Sequence, residues 1–549
     1  VGLTLANLAL IASLPVLAGQ DLPQHLSYAR ILADYADPGL AFRDNFVLPT
    51  RPQPYFTAYL LLAPLTRLTS VLTASKLLYG AYVIATAAAF LSLVRAVHAP
   101  GDGDARAPAP WTCLFGALIP WNPVQCVGFL PFMLSLPAVL AGAAAIVRAA
   151  AVVPSRPGRR RAYTEVAVAA AVATSLHLVS GVALVGFGAL YAVARRSRDA
   201  LFASVVTAAA SLGTVTAWHT LGERGLAEFP TAMVLDGIRR EGLYDGLVRT
   251  VGVQWTAMEV KWSFVVATVL GPLVRSAKLA VAVAIVALGL AVVLTRKSRP
   301  PREPRTPGAF AFTGATVAFS LLVVVTPAAI RVPDDICLLD FRLYVLAFML
   351  ALACAPPRWF APRRAHLALG AFGAAVLLIW ARQLHGVASE AGQVLALVGK
   401  LDPKGSLLAL PFHDRSEFLD EDNSVTHYFP VYYTAVRGGV TSSFWGKFSH
   451  HLPVGFRPGR EPLRPPDWDP AQFTRDELMA VPNVLVEWPD DDDGDNRVAA
   501  AYRLRMELAD GFAPMGCEGR WCLFGATRTA RVPPPDAIVN ETVTEEALR

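Results

Sequence analysis

Residues 308–330 read GAFAFTGATVAFSLLVVVTPAAI, a run with no charged side chain. It exceeds the ~18 consecutive apolar residues that a helix needs to cross a bilayer. At membrane depth no water satisfies the backbone, so such a run closes its hydrogen bonds internally as an α-helix. On its N-terminal side lies RKSRPPREPR (296–305), preceded by a second run, LAVAVAIVALGLAVVLT (279–295). On its C-terminal side IRVPDDICLLDFR (330–342) leads to further apolar stretches, among them AHLALGAFGAAVLLIWA (365–381). The chain is 54% apolar and 17% charged over 549 residues. The fold class is mostly α, a polytopic transmembrane helical bundle.

Basic loops set the orientation. RPGRRR (156–161), RRSR (195–198), RKSRPPREPR (296–305) and PPRWFAPRR (356–364) separate apolar segments and read as cytoplasmic. From these anchors 200–220 exits, 277–295 returns, 308–330 exits, 340–356 returns and 365–382 exits, for about 11 spans in all. The first run, VGLTLANLALIASLPVL (1–17), lacks a basic flank and a small-residue cleavage site and reads as a retained helix. Residues 55–150 must cross an odd number of times. Either 55–97 forms two spans and 111–126 is re-entrant, or 55–97 crosses once and 111–126 crosses as well. The interval 164–194 is tight for two spans, so two short helices meet near His177. Loops 20–54 and 221–275 face outward, the latter with an interfacial helix at KWSFVVATVLGPLV (261–274).

Charge divides the chain into a transmembrane part, 1–382, and an extracytoplasmic tail, 383–549. The tail holds 16 Lys/Arg and 25 Asp/Glu, the remainder 33 and 18. The formal net charge of +6 is therefore no footprint of nucleic acid, and the split suits a multi-pass inner-membrane protein. The tail reads as a small α/β domain: strands at SLLALPF (406–412), NVLVEW (483–488) and RWCLFGAT (520–527), and a helix at RVAAAYRLRMEL (497–508). In an oxidising compartment Cys517 and Cys522 suit a local disulfide, two free thiols being the alternative. A zinc site lacks a second Cys/His pair nearby. Cys113, Cys126, Cys337 and Cys354 lie in or near apolar spans as packing residues. PDDDDGD (489–495) fails the calcium-loop register, with Pro489 first and Ala500 where the closing Glu belongs. No GxxxxGK[ST] loop is present, which argues against an ATP-driven pump.

Three outer clusters carry candidate chemistry. LAGQDLPQHLSYARIL (17–32) presents Asp21 and His25, with Asp44 further on in FRDNF. Asp21 suits a general base for an attacking hydroxyl, an N-cap of the following helix, or a metal ligand. In 330–342, Arg331, Asp334, Asp335, Asp340 and Arg342 crowd a short hinge. Arg342 offers a planar fork to phosphate, and internal Arg–Asp pairing is the alternative. His177 in TSLHLVSG either packs as a neutral histidine or donates to a phosphate. The tail histidines His413, His427, His450 and His451 lie beside aromatics that suit a sugar, a peptide or a docking face.

One span, an outer loop opening on an acidic residue, many spans and an extracytoplasmic α/β tail resemble the GT-C superfamily of membrane glycosyltransferases. The likeness rests on Asp21, Pro23 and His25 as a DxPxH-like first loop, PWNPVQCVGF (120–129), a helix ending near His177, and Arg342 entering a late span. It implies transfer of a sugar from a polyprenyl-phosphate carrier to an envelope glycan, lipid or protein acceptor at the membrane. It implies Asp21 as base, with His25, Asp44, His177, Arg331 and Arg342 around the substrate. Many relatives carry a second acidic residue, which Asp44 matches only loosely, so a divalent metal, Mg or Mn, stays open. Two other readings compete: a flippase or exporter of a lipid-linked envelope intermediate, and a non-catalytic scaffold.

Overall fold

The computed structural model describes residues 2–17, 19–48, 55–98, 127–151, 156–221, 307–327, 339–355, 363–419, 424–445, 453–460, 469–490 and 495–527. The apolar runs 261–274 and 279–295, the stretch 111–126, Arg331, Asp334, Asp335, His450, His451, Cys113, Cys126 and Cys337 lie outside them.

The bundle opens with α1 (Gly2–Ser13), followed by α2 (Leu22–Asp34), α3 (Phe42–Asn45) and the short strand β1 (Phe46–Val47). α4 (Phe56–Leu68) and α5 (Val71–His98) follow, then α6 (Leu130–Ala151), α7 (Arg156–Leu176), α8 (Leu178–Arg195) and α9 (Arg198–Leu221). The last three membrane-type helices are α10 (Pro307–Val325), α11 (Leu339–Ala353) and α12 (Arg363–Val398). Among the described residues six helices, α5, α6, α8, α9, α10 and α12, are long and apolar enough to cross a membrane. The helices within 55–97 are unequal. α4 has only 13 residues and packs on α2, whereas α5 is one continuous helix of 28.

Alanine-rich faces let α6, α7 and α8 approach closely. At Gly181 a Cβ would meet Thr174 Oγ1 at 2.2 Å, so only glycine lets α8 turn back against α7 there. At the basic end Arg148 on α6 reaches Ser92 on α5 (2.9 Å) and Glu165 on α7 (2.8 Å), and Arg161 joins Glu165 at 3.1 Å. These partly exposed pairs position three helices more than they stabilise them.

α12 spans 36 residues, about 54 Å at 1.5 Å per residue, against a hydrocarbon core of about 30 Å. It therefore runs without a break across position 382/383 and carries the tail on its C-terminal half. The tail contains β2 (Ser406–Pro411), α13 (Tyr432–Arg437), β3 (Val440–Thr441), β4 (Gly455–Phe456) and α14 (Arg475–Met479). β5 (Asn483–Glu487), α15 (Asp495–Gly511), β6 (Phe512–Glu518) and β7 (Trp521–Ala526) complete it. The sheet order is β3-β2-β5-β7-β6, with β2 parallel to β3 and β5 and with β7 antiparallel to β5 and β6. β6 is absent from the sequence reading because Pro514 and Gly516 interrupt its pattern. It tolerates them as an edge strand with a register shift at that point. Cys517 and Cys522 oppose each other across β6 and β7 and form a disulfide, Sγ–Sγ 2.09 Å.

The tail is clamped onto the first loop. β1 pairs antiparallel with β4, Phe46 opposite Phe456. The buried Gln24 side chain donates to the Ser443 carbonyl (2.6 Å) and accepts from the Trp445 N–H (3.2 Å). Ser27 donates to the Val431 carbonyl at 3.1 Å and the Tyr432 hydroxyl to that of Leu17 at 2.9 Å. Around these bonds Tyr28, Phe42, Phe46 and Tyr59 form one apolar core with Tyr428, Phe444 and Phe456. Each large side chain buried there contributes roughly 1.5–3 kcal/mol.

Candidate functional site

Asp21 stands at the N-cap position of α2, but its side chain makes no capping bond and its backbone is already helical (φ −88°, ψ −8°). Its place is set instead by the chain at 127–129. The Asp21 N–H donates to the Val127 carbonyl at 2.8 Å. Gly128 has φ +86°, and a Cβ there would lie 2.7 Å from the Leu22 nitrogen and 2.9 Å from that of Asp21. Only glycine adopts that conformation and admits the start of α2 so closely. The next residue, Phe129, lies under the Arg342 guanidinium, whose Cζ is 4.0 Å from the ring centroid. Three consecutive residues thus touch the first-loop carboxylate's backbone and the late guanidinium.

Arg342, near the start of α11, also points Nη1 at His177 Nε2, 3.4 Å away. Guanidinium only donates, so Nε2 is the bare nitrogen and the ring is neutral. His177 is the extended residue (φ −158°, ψ 121°) between α7 and α8, and its carbonyl accepts from the N–H groups of Ser180 and Gly181. Phe132 meets its ring edge-on at 5.2 Å, and the Tyr55 ring lies tilted against it at 4.9 Å. Tyr55 holds φ 64° just ahead of α4, a left-handed conformation uncommon for a bulky residue and concentrated at functional sites.

His25, one turn after Asp21, is hydrogen-bonded through Nδ1 to the Tyr59 hydroxyl at 2.7 Å. Burial, helped by the Arg342 charge, pushes its pKa from 6.5 down to about 3, so it is neutral at physiological pH. Burial pushes the Asp21 carboxyl from 3.8 up to about 8, against the pull of Arg342. Arg342 therefore acts electrostatically on both first-loop groups as well as touching His177.

Four of the sequence candidates, Asp21, His25, His177 and Arg342, are buried, and the Arg342 charge acts on the first two while its guanidinium lies 3.4 Å from the third. Asp44 is exposed on α3, and no contact among the described residues ties it to them. Among the described residues Asp21 is the one carboxylate of this cluster. Among the described residues no group of three or more His, Cys, Asp or Glu would hold a metal. Tyr28, Tyr55, Tyr59 and Phe132 complete the surroundings without having been singled out in the sequence, whereas Phe129 closes the PWNPVQCVGF element. Tyr28 carries a detectable signal, seven residues after Asp21 on the same helical face, whereas the others arrive from distant elements.

No family model matches the chain, and no curated protein does. Among solved structures, ArnT from Cupriavidus metallidurans bound to undecaprenyl phosphate is similar, with a TM-score of 0.54 and 12% identity. The match covers 96% of this chain and 98% of that one. The apo state of the same protein aligns over the same shares with a TM-score of 0.40. With the helices, the tail and the buried cluster in place, this likeness concerns the fold, and the chain is a polytopic helical membrane protein with an ArnT-like fold and a small C-terminal sheet domain.

Proposed function

We propose that this chain is a membrane glycosyltransferase that moves a sugar from a polyprenyl-phosphate-linked donor to an extracytoplasmic acceptor, with inversion. The supporting observation is the 127–129 segment, which binds the backbone N–H of the buried Asp21 at one end and carries the ring under the buried Arg342 guanidinium at the other. The similar fold of ArnT, described as bound to undecaprenyl phosphate, supports the lipid class. In this reading the cluster lies at the outer leaflet, the tail is extracytoplasmic, and the acceptor is an envelope glycan, lipid or protein.

The donor phosphate pairs with Arg342, which Phe129 and His177 hold in place. The acceptor hydroxyl attacks the anomeric carbon, the bond from that carbon to the phosphate oxygen breaks, and the phosphate leaves with the electron pair. The guanidinium stabilises the charge that develops there. Asp21, once ionised, takes the hydroxyl proton. Convergence of these groups favours an enzyme over a scaffold, which has no use for a buried carboxyl beside a guanidinium.

The test is binding of undecaprenyl phosphate to the purified full chain. A charge-assisted hydrogen bond contributes about 1.5–3 kcal/mol, so Arg342→Gln is expected to weaken binding by roughly 10- to 100-fold. Equal affinity of the parent and this variant would overturn the placement of the phosphate. Undiminished sugar transfer by Asp21→Asn would remove Asp21 as base.

A further inference from the structure

The helical face that carries Asp21 and His25 continues to a third polar residue. Positions 21, 25 and 28 follow the i, i+4, i+7 spacing and lie within about 60° of one another on α2. Tyr28 is fully buried. Its ring meets Tyr59 edge-on at 5.6 Å and lies 5.0 Å from Phe444 and 6.5 Å from His25. Its hydroxyl has no hydrogen-bond partner among the described residues, an arrangement that native proteins seldom keep without a reason. Helical side chains lean toward the N-terminus of their helix, which carries this phenol toward Asp21. The Asp21 carboxyl, for its part, makes no capping bond.

Arg342 is the group that favours the ionised form of Asp21. The function proposed above, on which this inference rests, places an anionic phosphate on that same guanidinium. The anion cancels the field of Arg342 at the moment the base must be charged. A neutral donor is immune to such cancellation, and the buried Tyr28 phenol stays protonated. The other titratable or charged groups around the pair are His25 on the same helix, Tyr59 from α4, Arg342 from α11 with His177 beside it, and Tyr428 from the tail.

We propose that Tyr28 is a positioning residue whose hydroxyl donates a hydrogen bond to the ionised Asp21 carboxylate while the donor phosphate occupies Arg342. Infrared difference spectra of the full chain test this. The carboxyl stretch of Asp21 is assigned by its loss in Asp21→Asn and titrated with and without undecaprenyl phosphate. With the lipid bound, Tyr28→Phe is expected to raise the pH at which Asp21 ionises by about one unit or more. Without lipid the same variant should melt no lower than the parent, because the hydroxyl it removes is unpaired there. Identical Asp21 titrations in the lipid-bound parent and Tyr28→Phe would overturn the proposal.

The comparison is repeated without lipid on Arg342→Gln, which removes the cation directly. If the lipid does not bind but adding Tyr28→Phe to Arg342→Gln still shifts Asp21, the polyprenyl reading falls and the role of Tyr28 stands. If the lipid binds and neither comparison shifts, Tyr28 falls and the donor assignment stands.

Discussion

Asp21→Asn separates what the carboxyl does for the fold from what it does for chemistry. Asparagine matches its shape and remains neutral at every pH. In the parent, burial holds the Asp21 proton up to about pH 8, whereas the unfolded chain releases it near 3.8. A group whose folded pKa is raised contributes its full stability below the unfolded value, and this is lost as pH rises toward the folded value. Each tenfold step in proton affinity is worth about 1.4 kcal/mol, so the gap at pH 7 is roughly 4 kcal/mol. The Asn variant, free of that slope, is expected to match the parent near pH 4 and to melt progressively higher than it toward pH 8. Thermal unfolding of the detergent-solubilised chain between pH 4 and 9 measures this. Transfer should be lost in the variant, while in the parent the rate should climb with pH up to about 8 as the base ionises. Parallel loss of stability in both proteins from pH 5 to 8 would refute the reasoning, because the titrating carboxyl would then lie elsewhere.

Gln24→Ala leaves the Ser443 carbonyl and the Trp445 N–H without their partner at the loop–tail clamp. At about 1–3 kcal/mol per stranded group, the melting temperature should fall and limited proteolysis should cut sooner near 440–460; unchanged cleavage would count against the clamp. In the tail, Glu487 is buried and Thr426 Oγ1 stands 3.2 Å from both its Oε2 and the His413 carbonyl. The Thr426 hydroxyl, shared between these two acceptors, favours the charged Glu487 carboxylate less than its burial disfavours it. Burial above all holds its pKa well above the ordinary 4.5. Its contribution therefore fades as pH rises above about 4.5, and Glu487→Gln should melt higher than the parent at pH 8 but not at pH 4. Gly128→Ala puts a Cβ 2.7 Å from the Leu22 nitrogen. Displacing α2 from 127–129 should lower both the melting temperature and the affinity for undecaprenyl phosphate, and normal binding would argue against that segment's role.

Local pattern made much of this molecule legible. Uncharged runs such as 308–330 leave the backbone no solution but helix, and β2, β5, β7 and α15 follow from short apolar and amphipathic stretches in the tail. Asp21, His25, His177 and Arg342 stood out because ionisable groups beside apolar runs are costly to keep. β6 escaped notice because an edge strand tolerates Pro514 and Gly516, and the boundary at 382/383 concealed a helix because composition changes there while backbone geometry does not. The sequence by itself determined the helices, the tail's strands and which polar residues were worth attention, since these depend on neighbours a few positions apart. Only the tertiary structure decided that Asp21, His25, His177 and Arg342 are buried within one another's electrostatic reach, that Asp44 stays apart, and that Gly128 and Phe129 touch both the start of α2 and Arg342. The physical reason is that those relations depend on packing between segments up to some 320 positions apart, for which no local periodicity carries information.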